Sequence, residues 1–93
     1  MIKSFADKEI EGLFCDGESK RTPPAIIPRA LRKLDMIDAA YRLEDLRVPP
    51  GNKLHALKGD HTGFHAIAIN SKWRICFRFE GEDVFDVEIC DYH

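Results

Sequence analysis

Asp91, Tyr92 and His93 close the chain with a carboxylate, a phenol and an imidazole in a row. Chain termini ordinarily fray and carry unremarkable polar residues. Here three of the few side chains that move protons follow a strand-like run from Val84 to Cys90. A second polar group stands upstream, with His55 and Lys58 before a turn and Lys72 and Arg74 flanking Trp73. Proton-transfer groups beside fixed positive charge are what cleavage of a phosphodiester requires. Attack by a neighbouring 2′-hydroxyl needs one proton taken, another given, and the phosphorane's charge stabilised. Imidazole suits either transfer because it titrates near neutrality, so His55 and His93 are candidates for base and acid in either assignment. Asp91 would orient a histidine or share the base's role. Arg74 would grip the scissile phosphate with its planar fork. Lys58 would add charge, and Tyr92 would stack on a base or donate to phosphate. Lys72 and Arg78 are further candidates for binding a phosphate backbone.

Each of these residues also has a structural reading. A lone histidine is more often a surface or half-buried residue than a catalyst. Lys58 beside Gly59 is ordinary turn chemistry, and strand arginines such as Arg74 and Arg78 commonly pair with cross-strand acids such as Glu88 or Asp86. Trp73 and the phenylalanines alternate on one face and are expected in the core. His61, His65, Cys76 and Cys90 suggest a metal site, but zinc motifs pair close cysteines or set His-x-x-x-His on a helix. Gly63 interrupts the histidine pair, so neither a metal nor any other cofactor is expected.

Ninety-three residues bury one modest core, so a single domain spanning 1–93 is expected. No apolar run is long enough for a membrane span, and the opening Met1–Asp7 lacks the pattern of a signal peptide. A cytoplasmic location with no membrane partner follows as an expectation. Three cysteines without framework spacing suit reduced thiols. The net charge is −2, yet Arg47 to Phe79 holds six Lys or Arg against one acid, Asp60. The last fourteen residues carry six acids and no Lys or Arg. A basic middle beside an acidic tail can still present one positive face.

These groups need elements to position them. Met1–Phe5 suggests a short strand. Asp7 or Ser4 caps a helix with Ile10, Leu13 and Phe14 on one face, ending near Gly17. Pro28 opens a second helix, whose stripe is Ile27, Leu31, Leu34, Ile37 and Tyr41. The two helices with the loop from Arg21 to Ile27 could offer a partner surface, but Ile26 and Ile27 are more simply expected to roof the core. After Val48-Pro49-Pro50-Gly51-Asn52 the period changes to two. Strands follow at Lys53–Leu57, Phe64–Ile69, Trp73–Glu80 and Val84–Cys90. The strand from Phe64 is expected to be covered on both faces. Phe79 and Phe85 share the core face only if the loop around Glu80-Gly81-Glu82 is odd, such as three residues, because a one-residue slip flips every side chain. The expected class is α+β in the order β-α-α-β-β-β-β, two helices on one face of a mostly antiparallel sheet. The other face would carry Arg74, Arg78 and Tyr92, a place for an elongated polyanion. Strict alternation puts Asp91 and His93 on the opposite face.

Four segments in order resemble a HigB-type toxin of the RelE superfamily. They are Val48-Pro49-Pro50-Gly51-Asn52-Lys53-Leu54-His55, Leu57-Lys58-Gly59-Asp60, Asn70-Ser71-Lys72-Trp73-Arg74-Ile75-Cys76-Phe77, and Asp91-Tyr92-His93. The similarity spans nearly the whole chain, including Met1–Phe5 and the helix from Pro28 to Ala40. It implies a compact RelE-like fold and a ribosome-dependent endoribonuclease that cuts messenger RNA in the A site without metal. It implies a helix-turn-helix antitoxin as partner, and binding of operator DNA only through the toxin–antitoxin complex. It also places His55, Lys58, Arg74, Asp91, Tyr92 and His93 in the active site. Two alternatives stand beside it: a non-catalytic module that only binds its antitoxin, and a nuclease that cuts free RNA. The last would call for a distinctly basic protein, since phosphate neutralisation dominates affinity for RNA.

Overall fold

In the computed structural model, residues 1–91 are described; Tyr92 and His93 lie outside the described residues. Two helices pack on one face of a four-stranded antiparallel sheet. Helix α1 spans Lys8–Asp16 and α2 spans Ile27–Ala39. The strands are β1 (His55–Ala56), β2 (His65–Ala68), β3 (Trp73–Glu80) and β4 (Asp83–Asp91), in spatial order β1-β2-β3-β4. Met1–Phe5 lines the free edge of β4 through two isolated parallel bridges, Ile2 to Val84 and Phe5 to Val87.

Asp7 begins α1 by accepting the Ile10 amide at 3.0 Å, and Gly17 ends it at φ 75°, its N–H bonded to the Leu13 carbonyl. A left-handed residue that closes the last turn is a natural helix stop. A short 3-10 turn, Pro24–Ile26, leads into α2 with Pro28 in its first turn. Ile26 is buried and Ile27 packs on the core, so this segment roofs it. Leu13, Leu34 and Ile37 from the helices meet Ile67, Ile75, Phe77, Val84 and Val87 from the sheet, all fully buried. Ala66 and Ala68 on the other face of β2 are buried as well, so that strand is covered on both faces.

Three expectations are corrected. Tyr41 is not core: α2 stops at Ala39, Ala40 is extended, and Tyr41 is 71% exposed. The Asp45 carboxylate takes the Tyr41 and Arg42 amides and starts the next 3-10 turn, Leu43–Arg47, which carries the chain off the stripe. Strand β1 is only two residues long, because Lys53 turns into the left-handed region at φ 50°. The hairpin between β3 and β4 has a two-residue loop, since Glu80 pairs with Asp83 and Phe79 with Val84. Val84 therefore takes the core position expected of Phe85, and Phe85 faces outward opposite Arg78. A bulge between Cys76 and Arg78, with Asp86 at φ 57°, returns Val87 and Ile89 to the core phase.

Candidate active site

Strand β2 is the floor of the outer face. Register places His55 opposite Ala66, Ala66 opposite Cys76, Ala68 opposite Arg74, and Arg74 opposite Cys90. His55 and Arg74 thus share one face on a diagonal, two strand spacings across and two residues along, with roughly 12 Å between their backbones. Only alanines rise from β2 between them; Ala66 is fully buried, and the open channel lies over Ala68. A cleft of about 330 Å³ opens beside His55, lined by Lys53, His55, Ala68, Asn70 and Ser71. Lys58 lies past His55 at the start of the 3-10 turn Gly59–His61, and Arg74 lies toward the opposite end.

Among the described residues the His55 ring is held by Nδ1 against the Lys53 carbonyl at 2.8 Å. A carbonyl only accepts, so Nδ1 carries the hydrogen. The neutral ring then offers Nε2 as its basic nitrogen, which is how a second partner selects a histidine's tautomer. Lys53 sits at the end of a strap. Its neighbour Asn52 is fully buried and donates to the Leu46 carbonyl at 3.1 Å and the Val48 carbonyl at 3.4 Å. The Asn52 amide oxygen accepts from the Lys33 ammonium on α2. Burial, with Arg29 and Arg32 close by, lowers the Lys33 pKa.

Asn70 shapes the β2–β3 turn by accepting the Lys72 and Trp73 amides, both at 2.8 Å. The Lys72 ammonium rests 6.0 Å from the centre of the Trp73 ring. Arg78 is paired with Glu80 and Asp86 and lies 4.9 Å from the centre of the Phe85 ring. Of the two cross-strand acids weighed, Asp86 is the one it meets. Asp91 ends β4 opposite Trp73, on the parity face away from Arg74. Tyr92 and His93 fall outside the described residues.

Cys76 and Cys90 are diagonal neighbours on the outer face, and both are free thiols. A hydrogen bond with Cys90 draws the Cys76 pKa down and raises that of Cys90, which also donates to Glu88 at 3.2 Å. His65 lies opposite Phe77 on the helix-facing side, its Nδ1 buried with no hydrogen-bond partner among the described residues. Burial, then the charge of His55, lowers its pKa. His61 is exposed and meets the Phe64 ring edge-on. Among the described residues no three His, Cys, Asp or Glu side chains converge as they would on a metal ion.

Several neighbours of His55 carried little signal in the sequence. Lys53, Asn70 and Ser71 line the cleft, yet in the chain they mark only turns. Arg29, Arg32 and Lys33 border a hollow of about 260 Å³ with Ile69, and Arg29 and Arg32 also border one of about 310 Å³ that shares Asn70 with the cleft beside His55. Their helical spacing shows a shared surface, but not that it abuts the β2–β3 turn. A third hollow of about 220 Å³, between Asp7, Arg21, Trp73 and Ile89, has polar groups satisfied by one another: Arg21 with Asp7, and Ser19 with Glu9 and Thr22.

The family model described as a RelE-like toxin of the type II toxin–antitoxin system HigB matches residues 3–93. The chain is 39% identical to Toxin HigB-1 of Vibrio cholerae over 80 residues, covering 85% of this chain and 84% of that one. It is 37% identical to the Endoribonuclease HigB of Proteus vulgaris over 93 residues, the full length of both. Among solved structures, the YoeB–YefM complex of Staphylococcus aureus aligns with a TM-score of 0.63 at 18% identity, over 100% of this chain and 95% of that one. A YafQ mutant from E. coli aligns at 0.60 and 12% identity, over 94% of this chain and 89% of that one. At such identities these two speak for the fold.

Proposed function

This chain belongs to the HigB-like family, the RelE-like toxins of type II toxin–antitoxin systems, and on that premise we propose that it is an endoribonuclease that cuts messenger RNA in the ribosomal A site. The observation that carries the reading is the His55 ring, whose neutral form presents Nε2 on the same face as the Arg74 guanidinium, across a floor of alanine. The full-length relative named an endoribonuclease supports it.

The reaction needs no cofactor. His55 Nε2 takes the proton of the substrate's 2′-hydroxyl, and that oxygen bonds to the adjacent phosphorus. Arg74 holds two non-bridging oxygens as charge builds on the phosphorane. The phosphorus–O5′ bond then breaks, and O5′ receives a proton from His93. The products are a 2′,3′-cyclic phosphate and a free 5′-hydroxyl. Asp91 orients His93, and Tyr92 stacks on a base beside the break. Lys58 and Lys72 hold backbone phosphates at either end of the channel. Arg78 reaches RNA only by exchanging Glu80 and Asp86 for phosphate.

The formal charge of −2 suits a toxin whose substrate is already threaded through the ribosome, since tight binding of free RNA calls for a strongly basic protein. A type II toxin has a cognate antitoxin. Here we take it to be a helix-turn-helix protein, with operator DNA contacted only by the complex. No helix among the described residues is long and apolar enough to cross a membrane, and the site of action is the cytoplasm.

The test is induced expression of the native chain against Arg74→Ala, read as growth and as primer extension on a translated messenger. Growth arrest with cuts at codon positions, both absent in the variant, is the expected result. Intact messenger and normal growth from folded wild-type protein would leave only an antitoxin-binding module. Cutting of purified RNA without ribosomes would sink the A-site assignment.

A further inference from the structure

A general base must hold its lone pair toward the substrate, and an exposed imidazole on a two-residue strand has little to hold it. His55 is exposed, and β1 pairs with β2 through only two residues. Among the described residues its ring is anchored by the Lys53 carbonyl. The direction of that carbonyl depends on Lys53 standing at φ 50°, ψ 46°, in the left-handed region that residues other than glycine rarely adopt. The surrounding structure has to impose such a conformation. The adjacent residue, Asn52, is built to do so. It is fully buried and polar, and its amide is satisfied at every end: two strap carbonyls from Leu46 and Val48, and the ammonium of Lys33. Its own N–H closes a turn onto the Pro49 carbonyl at 2.9 Å, and the Lys53 N–H bonds the Pro50 carbonyl at 3.1 Å. These bonds tie the strap from Leu46 to Lys53 to α2, the most deeply packed helix of the core.

We propose that Asn52 is a positioning residue for RNA cleavage: by locking the strap to α2 it aims the Lys53 carbonyl at His55 Nδ1 and keeps Nε2 as the basic nitrogen. The proposal rests on the reading of His55 as the base. Asn52 touches neither substrate nor reacting atom and acts only through Lys53. Lys33 is the outer end of the same device, so a residue on the second helix bears on the tautomer of a histidine in the first strand.

The tautomer is measurable without any reaction, from long-range nitrogen–proton NMR correlations of the full-length protein at a pH where His55 is neutral. The wild type is expected to show the Nδ1–H form. Asn52→Ala, with core methyl shifts retained, is expected to show a mixture of both forms. Its kcat for ribosome-dependent cleavage should fall roughly ten- to a hundredfold, as small misplacements of a reacting group do, with KM unchanged. An Nε2–H wild type overturns the proposal, and so does a folded Asn52→Ala that keeps both the Nδ1–H form and its kcat. Should Asn52→Ala fail to fold, Lys33→Met decides. It removes one of four side-chain contacts of Asn52, leaving Met36 Sδ at 4.0 Å as its other contact with α2, so a smaller shift toward the mixture is expected, and an unchanged tautomer overturns the proposal. His55→Ala separates the two readings, because full cleavage by that variant removes His55 from catalysis while the tautomer measurement stands.

Discussion

Arg74 and His65 illustrate how one residue's surroundings decide what its replacement costs. Arg74 stands on the channel face opposite Ala68. Removing a donor aimed at developing charge costs about a hundred- to a thousandfold in rate. Arg74→Ala should therefore lose that much kcat/KM in a ribosome-dependent assay while still binding antitoxin, and Arg74→Lys should recover only part, lacking the planar fork. An unimpaired Arg74→Ala would remove it from the mechanism. His65 has its pKa lowered by burial and then by His55. Below the unfolded value of about 6.5 the unfolded chain binds this proton before the native one does, so stability falls as pH drops through that window. Urea unfolding at pH 7.5 and 5.5 should show a smaller loss for His65→Gln than for the wild type. An equal loss would mean that the protonation of His65 is not linked to folding. Leu34 and Tyr41 make the corresponding contrast in packing. Leu34→Ala should cost about 2–5 kcal/mol as a fully buried site, whereas the exposed Tyr41→Ala should stay within about 0.5 kcal/mol.

Among the elements, the β3–β4 hairpin decides which side chains share a face. The two-residue loop would leave Val87 and Ile89 on the wrong side, and the bulge at Asp86 corrects the phase. Deleting Asp86 removes the extra residue, so Val87 should pair with Phe77 in a regular ladder, Val87 and Ile89 should stay on the core face, and cooperative unfolding with native amide dispersion should be kept. Collapse of the amide dispersion would contradict this account of the register. At the other end of the fold, Asp7 caps α1 and also meets Arg21 at 3.2 Å. Asp7→Ala should cost about 1 kcal/mol, mostly from the cap, because an exposed ion pair adds little. The helices and their stops were legible in the chain from Asp7, Gly17 and Pro28, since capping and helical stripes are local. The end of α2 was not. Its apolar spacing continues through Tyr41, and only the competing bonds from Asp45 divert the chain. The bulge was equally hidden, because an alternating strand looks the same with either residue as the extra one.

For the whole molecule, charge distribution matters more than its total. Lys53 lines the cleft, Arg74 stands opposite Ala68, and Lys58 and Lys72 lie in the flanking turns, in a chain whose formal charge is −2. If those four meet single-stranded RNA phosphates, log K should fall with log salt at a slope of about −3. Titrating a non-cleavable RNA strand at several salt concentrations checks this. A slope near zero would place RNA recognition elsewhere, and a much steeper one would enlist the Arg29, Arg32 and Lys33 surface as well.

The sequence by itself determined the α+β class, the order of elements, the helix-facing core and the set of groups able to move protons. Those properties follow from side-chain period and residue chemistry, which are written along the chain. Only the tertiary structure decided that alanines alone stand between His55 and Arg74, that Phe85 faces outward, and that Lys53 and Asn52 fix the histidine's free nitrogen. Each of these depends on pairing across the sheet or on a buried bond between distant segments. A carbonyl's direction or a strand's register is set by what packs against it, and no local pattern of residues records that.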